Sequence, residues 1–257
     1  MATHKTMICS LVLILVGIIL LASNHHYVLL PTPRKVSVSS GSDQSGVKPR
    51  YIFVDLGANA ADSLEVFLGH DGAKYSYDFP RPEWATYEQA DIYLFEANPH
   101  FNRALVKAKE RYSAIGMNIN IFPSTVVDIR DGTRTFFLDT INDANDFWGS
   151  SIYANHPDAI GSKSNGTELT SINISRWLLM NTLPRDFVVV KMDIEGAEYE
   201  IVPHMAEMGV SLVMDYLLIE WHSHVPEDID LSDTRAKAAM ERLKAGGVNM
   251  PEYDSAS

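Results

Sequence analysis

Residues 187–200, FVVVKMDIEGAEYE, decide how this chain is read. The first half is an unbroken apolar run rich in valine. A strand of that kind is buried on both faces, as the strands of a parallel sheet are. The second half turns abruptly charged: Lys191, Asp193 and Glu195 come within a few residues, and Gly196 then suits a close turn into a helix. Burying such charges beside an apolar strand is costly unless they pair or serve a ligand. At the carboxyl end of a parallel strand they face the crevice where open α/β sheets bind their ligands. An ordinary first helical turn, with Asp193 and Glu195 complementing the dipole, is the plainer reading. Position favours the ligand.

Working outward, the same alternation repeats. Residues 51–55 form a short apolar strand, and 61–68 a helix that Gly69 ends. An aromatic and proline-rich insertion fills 70–90. A second strand runs over 91–96, and the helix after Pro99 sets Phe101, Ala104, Leu105, Ala108 and Tyr112 on one face. Residues 118–122 read as a third strand, followed by a hairpin around Arg130-Asp131-Gly132 that returns through 133–138. Residues 140–168 read as a long loop. A helix near 175–180 precedes the strand at 187–193. The helix after it runs through Met208, with Pro203 expected to kink or shorten it. A strand over 216–221 and a helix over 232–245, stopped by Gly246, complete the series. Strand and helix alternating at this spacing predict a doubly wound, Rossmann-like α/β domain over 51–257.

Two more motifs fall at strand ends. In YIFVDLGANAADS, residues 51–63, Asp55 and Gly57 lie in the turn after the first strand, and Asn59 can adopt the left-handed conformation there. In YLFEANP, residues 93–99, Glu96 sits where Rossmann-like domains grip the ribose hydroxyls of a cofactor, with Asn98 and Pro99 shaping the turn. Asp128, after the third strand, has two readings: a polar group at a cofactor, or a turn residue before Arg130-Asp131-Gly132. His222 and His224 follow the last strand, and either is a candidate general base. Asp193 and Glu195 are the candidates for polar work on a bound substrate, with Lys191 orienting them. Two carboxylates two residues apart specify no metal, and none is expected.

Together the motifs resemble the FkbM family of S-adenosylmethionine-dependent methyltransferases, over roughly 51–222. KMDIEGAE is similar to the family's K-(I/M)-D-(V/I)-E-G-A-E, DLGANAADS to its D-x-G-A-N-x-G-x-(S/T), and FEANP to its F-E-P-N-P. The resemblance implies a class I methyltransferase fold and a pocket for S-adenosylmethionine formed by Asp55, Gly57, Asn59 and Glu96. It also implies O-methylation of a hydroxyl. The chain departs from the pattern at Ala61, where the family usually has glycine, and at Asn173, where it often has Asp. Little sequence remains after the last helix for the closing strand pair usual in this fold.

Composition narrows the partners. Of 257 residues, 46% are apolar and 21% charged, as in a globular domain, and the formal net charge of −12 argues against nucleic acid. The sole cysteine, Cys9, rules out a zinc cluster or a cysteine nucleophile in the domain. Residues 7–22 are apolar except for Ser10 and read, within 1–30, as a membrane anchor rather than a cleaved signal peptide. Residues 31–50, rich in Ser, Gly and Pro, read as a flexible linker. Sequons at Asn165 and Asn173 tilt the domain toward the lumen of the endoplasmic reticulum or Golgi, with a glycan or glycolipid sugar hydroxyl as acceptor. The alternative is a membrane-anchored binding protein that keeps the fold without catalysis. A nicotinamide dehydrogenase is disfavoured, since the first turn lacks GxGxxG.

Overall fold

The computed structural model describes residues 47–254, apart from 146 and 226. The expected anchor and most of the linker lie outside the described residues. Among the described residues no helix is long and apolar enough to cross a membrane. The expected linker ends before Arg50, which is tied into the domain: its backbone N–H donates to Asp186 Oδ1 at 3.0 Å and its guanidinium to Asp186 Oδ2 at 2.5 Å.

The chain opens with β1 (Tyr51–Leu56) and α1 (Asp62–Phe67), then β2 (Asp91–Glu96), α2 (Asn102–Ser113) and β3 (Asn118–Pro123). A middle section follows with β4 (Thr125–Asp128), β5 (Gly132–Phe136), α3 (Pro157–Gly161), β6 (Thr167–Asn173) and α4 (Ile174–Asn181). The last third holds β7 (Phe187–Met192), α5 (Glu198–Met208), β8 (Tyr216–Ile219) and α6 (Ile229–Ala245). Five strands form one parallel sheet in the order β3-β2-β1-β7-β8. The order reverses between β1 and β7, so the crevice opens beyond their carboxyl ends.

Both faces of this sheet are covered, as the apolar run in β7 predicts. Ile52, Val54 and Leu56 of β1 pack with Leu178 of α4, Ile201 and Met205 of α5 and Leu243 of α6. Tyr51 and Phe53 point the other way, against Leu64 and Phe67 of α1 and Leu105 and Tyr112 of α2. The 70–90 insertion extends this second core: Phe79 meets Phe53 and Phe67 edge-on, with ring centroids 5.3 and 5.6 Å apart.

The middle section corrects the sequence reading. No hairpin joins β4 to β5. Instead β6 lies between them, parallel to β4 and antiparallel to β5, in a separate three-stranded sheet. β6 is mostly polar, TELTSIN, and only Leu169 and Ser171 are buried, so its apolar signal is faint. The expected loop over 140–168 contains α3 and bridges back to the second sheet between Phe137 and Ser151. α5 is not shortened by Pro203 but runs on to Met208. Asn173 caps α4, accepting from Arg176 N at 2.9 Å while its amide donates to Ile129 O at 2.9 Å. An Asp there could cap but not donate.

Candidate active site

The ends of β1, β2 and β7 enclose a cavity of about 470 Å³, within the size range of small-molecule sites. Gly57, Asn59, Glu96, Asn98, Lys191, Asp193 and Glu195 all line it, so the three sequence motifs meet in one place. The turn after β1 is held by Gly57 N–H and Ala58 N–H, both donating to Phe95 O at 3.0 Å. Gly57 has φ +86°, and a Cβ there would stand 1.8 Å from the carbonyl oxygen of Asp193. The glycine therefore lets the β1 turn press against the β7 turn, a closer constraint than approach to a ligand.

Glu96, at the tip of β2, is buried. Asn59 N–H donates to its Oε2 at 2.7 Å and Asn98 N–H to its Oε1 at 2.6 Å. Burial pushes this carboxyl up to about 7, against the lowering effect of those two donors. Asn98 is itself fixed, donating from Nδ2 to Ser150 Oγ at 3.0 Å and accepting from His100 N–H at 3.0 Å.

Asp55 differs from its expected role. It belongs to β1 rather than to the turn, is wholly buried and does not line the cavity. In the sheet register it pairs directly with Lys191, whose Nζ lies 3.3 Å from Asp55 Oδ1. Burial raises the Asp55 carboxyl to about 6 despite that neighbour. Lys191 Nζ also donates to Gly57 O at 2.9 Å and reaches Asp193 Oδ2 at 3.3 Å. Burial works against its charge, but Asp55 and Asp193 reverse that and hold the ammonium well above its ordinary value. Lys191 is thus a buried cation that positions Asp193 and makes no contact with Glu195.

Asp128 also stands elsewhere. It ends β4 in the second sheet, accepts from Ile129 N–H at 2.6 Å and faces Arg134 at 3.8 Å, while its neighbours Thr125, Val126 and Val127 line the cavity. Asp128 is thus a buried strand-end residue beside the cavity rather than part of its lining. Ala61 does not line the cavity either; it is packed in the second core with φ +72°, so its departure from glycine strains the backbone rather than crowding the site.

Beyond β7, Glu195 takes φ +53°, an unusual conformation for a residue with a side chain. Its carboxyl is raised by burial, against the pull of His156 and His222. His222 faces four carboxylates: Glu198 at 3.1 Å, Glu195 at 3.6 Å, Asp193 at 3.7 Å and Glu220 at 4.0 Å. Burial opposes its charge, but Glu198, Glu195 and Asp193 prevail and lift it to about 10. Those carboxylates favour its protonated form, which suits giving a proton better than taking one. His224 is exposed and lowered by burial and by its histidine neighbours, and it does not line the cavity.

Sequence reasoning missed the wall supplied by the 140–168 segment. Phe147, Trp148, Ser150 and Ile152 line the cavity, and Ser151 Oγ donates to Glu195 O at 2.6 Å. His156, at the start of α3, places Nε2 3.3 Å from Glu195 Oε2. The only sequence signal was His156-Pro157, a turn entering a helix. Oxygen and nitrogen atoms of Asp193, Glu195 and His222 lie within 4.8 Å of one another, a spacing that could hold a metal ion.

Residues 55–237 match the family model described as Methyltransferase FkbM domain. No curated protein and no solved structure matches the chain.

Proposed function

The chain belongs to the FkbM methyltransferase family, and on that premise we propose that its crevice binds S-adenosylmethionine and methylates a hydroxyl oxygen. The observation that carries this is Glu96: a buried carboxylate at a strand tip, both oxygens anchored by backbone N–H groups, on the wall of the cavity. Each oxygen keeps a further lone pair, so Glu96 can accept from both hydroxyls of a ribose. Val126, Val127, Phe101 and Phe136 offer an apolar wall suited to a flat base. When bound, the cofactor supplies a methyl on a cationic sulfur, a group that needs alignment more than activation.

The protein's share of the chemistry lies at the β7 end. Asp193 and Glu195 present negative charge toward the cavity, complementary to a cationic donor. Either carboxylate can take the proton that the acceptor hydroxyl gives up as its oxygen bonds to carbon. Lys191 fixes Asp193 for that task. Trp148 lies on the cavity wall yet is 49% exposed, an amphipathic surface on which the apolar face of a sugar ring packs. That favours a glycan or glycolipid acceptor.

The membrane tether and lumenal setting belong to the same proposal. Of the two sequons, Asn165 is exposed, whereas Asn173 caps α4 and is followed by the buried Ile174 and Ser175. A glycosidase-sensitive mass shift removed by Asn165→Gln and unaffected by Asn173→Gln would bear out a lumenal domain; no shift in either would place it elsewhere.

Calorimetric titration of the 257-residue chain with S-adenosylmethionine and its demethylated product tests the central reading. Saturable binding of both is expected. Binding of neither removes the enzyme. Binding without methyl transfer to any of a broad glycan panel would favour the non-catalytic alternative.

A further inference from the structure

We infer that Asp193, Glu195 and His222 form a binding site for a divalent transition-metal cation on the wall of the crevice. The three come from two separate turns, after β7 and after β8, and converge on one point. His222 Nε2 is 3.7 Å from Asp193 Oδ1 and 3.6 Å from Glu195 Oε1. Ligands about 2.1 Å from a cation sit roughly 3 to 3.6 Å apart, so little movement completes the set.

The stronger argument is what stands behind each ligand. Metal-binding histidines usually give their other ring N–H to a carboxylate, which aims the free nitrogen at the ion. His222 Nδ1 is 3.1 Å from Glu198 Oε1, and Glu198 is wholly buried. That pairing keeps a proton on Nδ1 and faces Nε2 toward Asp193 and Glu195, where a cation would displace the Nε2 proton and take its lone pair. Glu198 is in turn fixed by the backbone N–H groups of Ile194 and Gly196, both at 2.8 Å. Asp193 has its second oxygen held by Lys191 at 3.3 Å.

Glu195 has its own support in His156, and here the site is unfinished. His156 is 4% exposed, its Nδ1 accepts from Asp158 N–H, and its buried Nε2 has no hydrogen-bond partner. That nitrogen points at Glu195 Oε2 from 3.3 Å, close but poorly aligned. A buried polar atom left so is costly, and a shift of Glu195 onto a cation would let the pair close. Three ligands, each backed by its own buried partner, are more than a chance cluster of acids.

The donor set names the ion class. One imidazole with two carboxylates suits Mn²⁺, Fe²⁺ or Zn²⁺ better than the all-oxygen cages of Ca²⁺. Three protein ligands leave further positions open on the ion, and since Asp193 and Glu195 line the cavity, an acceptor hydroxyl bound there could coordinate and be oriented. That role rests on the methyltransferase reading, whereas the binding of the cation does not.

The test is titration of the chelator-treated 257-residue chain with Mn²⁺, followed by loss of the free-ion paramagnetic resonance signal, and with Zn²⁺ by calorimetry. One ion per chain is expected. Glu195→Gln and His222→Gln should each weaken it at least about tenfold, and His156→Gln about 10–100-fold as a supporting contact. Circular dichroism would establish that each variant is folded, and a wild-type titration stands even if one is not. No saturable binding of either ion, or binding that both ligand variants leave unchanged, overturns the site. Titration with the demethylated cofactor product without metal reads the methyltransferase proposal separately.

Discussion

The two halves of the crevice satisfy their polar groups in different ways. On the β1–β2 side, the side chains are met by backbone: Glu96 accepts from Asn59 and Asn98, and Asn98 accepts from His100. On the β7–β8 side, backbone groups still hold Glu198 and Lys191, but the charged side chains chiefly meet one another: Lys191 holds Asp193, His156 faces Glu195, and His222 sits among four carboxylates. The first half is tied into the turns themselves. The second is a set of opposed charges whose balance an extra cation, a proton or a bound hydroxyl can shift. Backbone-anchored and charge-paired groups thus line one cavity together.

The comparison can be broken most forcefully where the halves touch. Gly57→Ala would drive a Cβ into the Asp193 carbonyl and should destabilise the fold by about 4 kcal/mol or more. Chemical denaturation measures this; an unperturbed midpoint would mean the two turns are not in contact. Lys191→Met leaves Asp55 buried without its cation and Asp193 unheld. A loss of about 3–5 kcal/mol is expected.

Glu96→Gln is subtler, since an amide cannot accept at both ends and one backbone N–H goes unpaired. Cofactor affinity should fall about 10–100-fold, from hydrogen bonds to a charged group worth roughly 1.5–3 kcal/mol. Calorimetry at several pH values sharpens the point. With Glu96 raised to about 7, its ionised form, the better acceptor for the ribose, is lost as pH falls through 7, so affinity should weaken there in the wild type and stay flat in the variant. Stability runs the other way: a carboxyl raised on folding stabilises below its ordinary range, and that contribution disappears as pH climbs through about 7. The smallest effect concerns Ala61, whose φ of +72° a glycine adopts freely. Ala61→Gly should stabilise the protein by about 1 kcal/mol in a thermal melt and leave the cofactor affinity unchanged.

How much of this was legible in the sequence follows the same division. Gly57, Asn59, Glu96 and Asn98 could be found because a strand end fixes where its neighbours point, and the apolar periods of β1, β2 and β7 are strong. Asp55 was less legible: it lies inside β1, which runs on to Leu56, and it pairs with Lys191 behind the cavity wall rather than lining the cavity itself. The surroundings of Asp128 were not legible because β6, too polar to announce itself, draws β4 into a second sheet. The convergence of His156 and His222 on Glu195 arises from two irregular segments about 66 residues apart, and no local period encodes such a meeting.

The most direct measurement is a crystal structure of the chain with the demethylated cofactor product bound. The account predicts both ribose hydroxyls within hydrogen-bonding distance of Glu96 and the sulfur directed toward Asp193 and Glu195. A ligand seated away from Glu96, or with its sulfur turned from the β7 end, would contradict it.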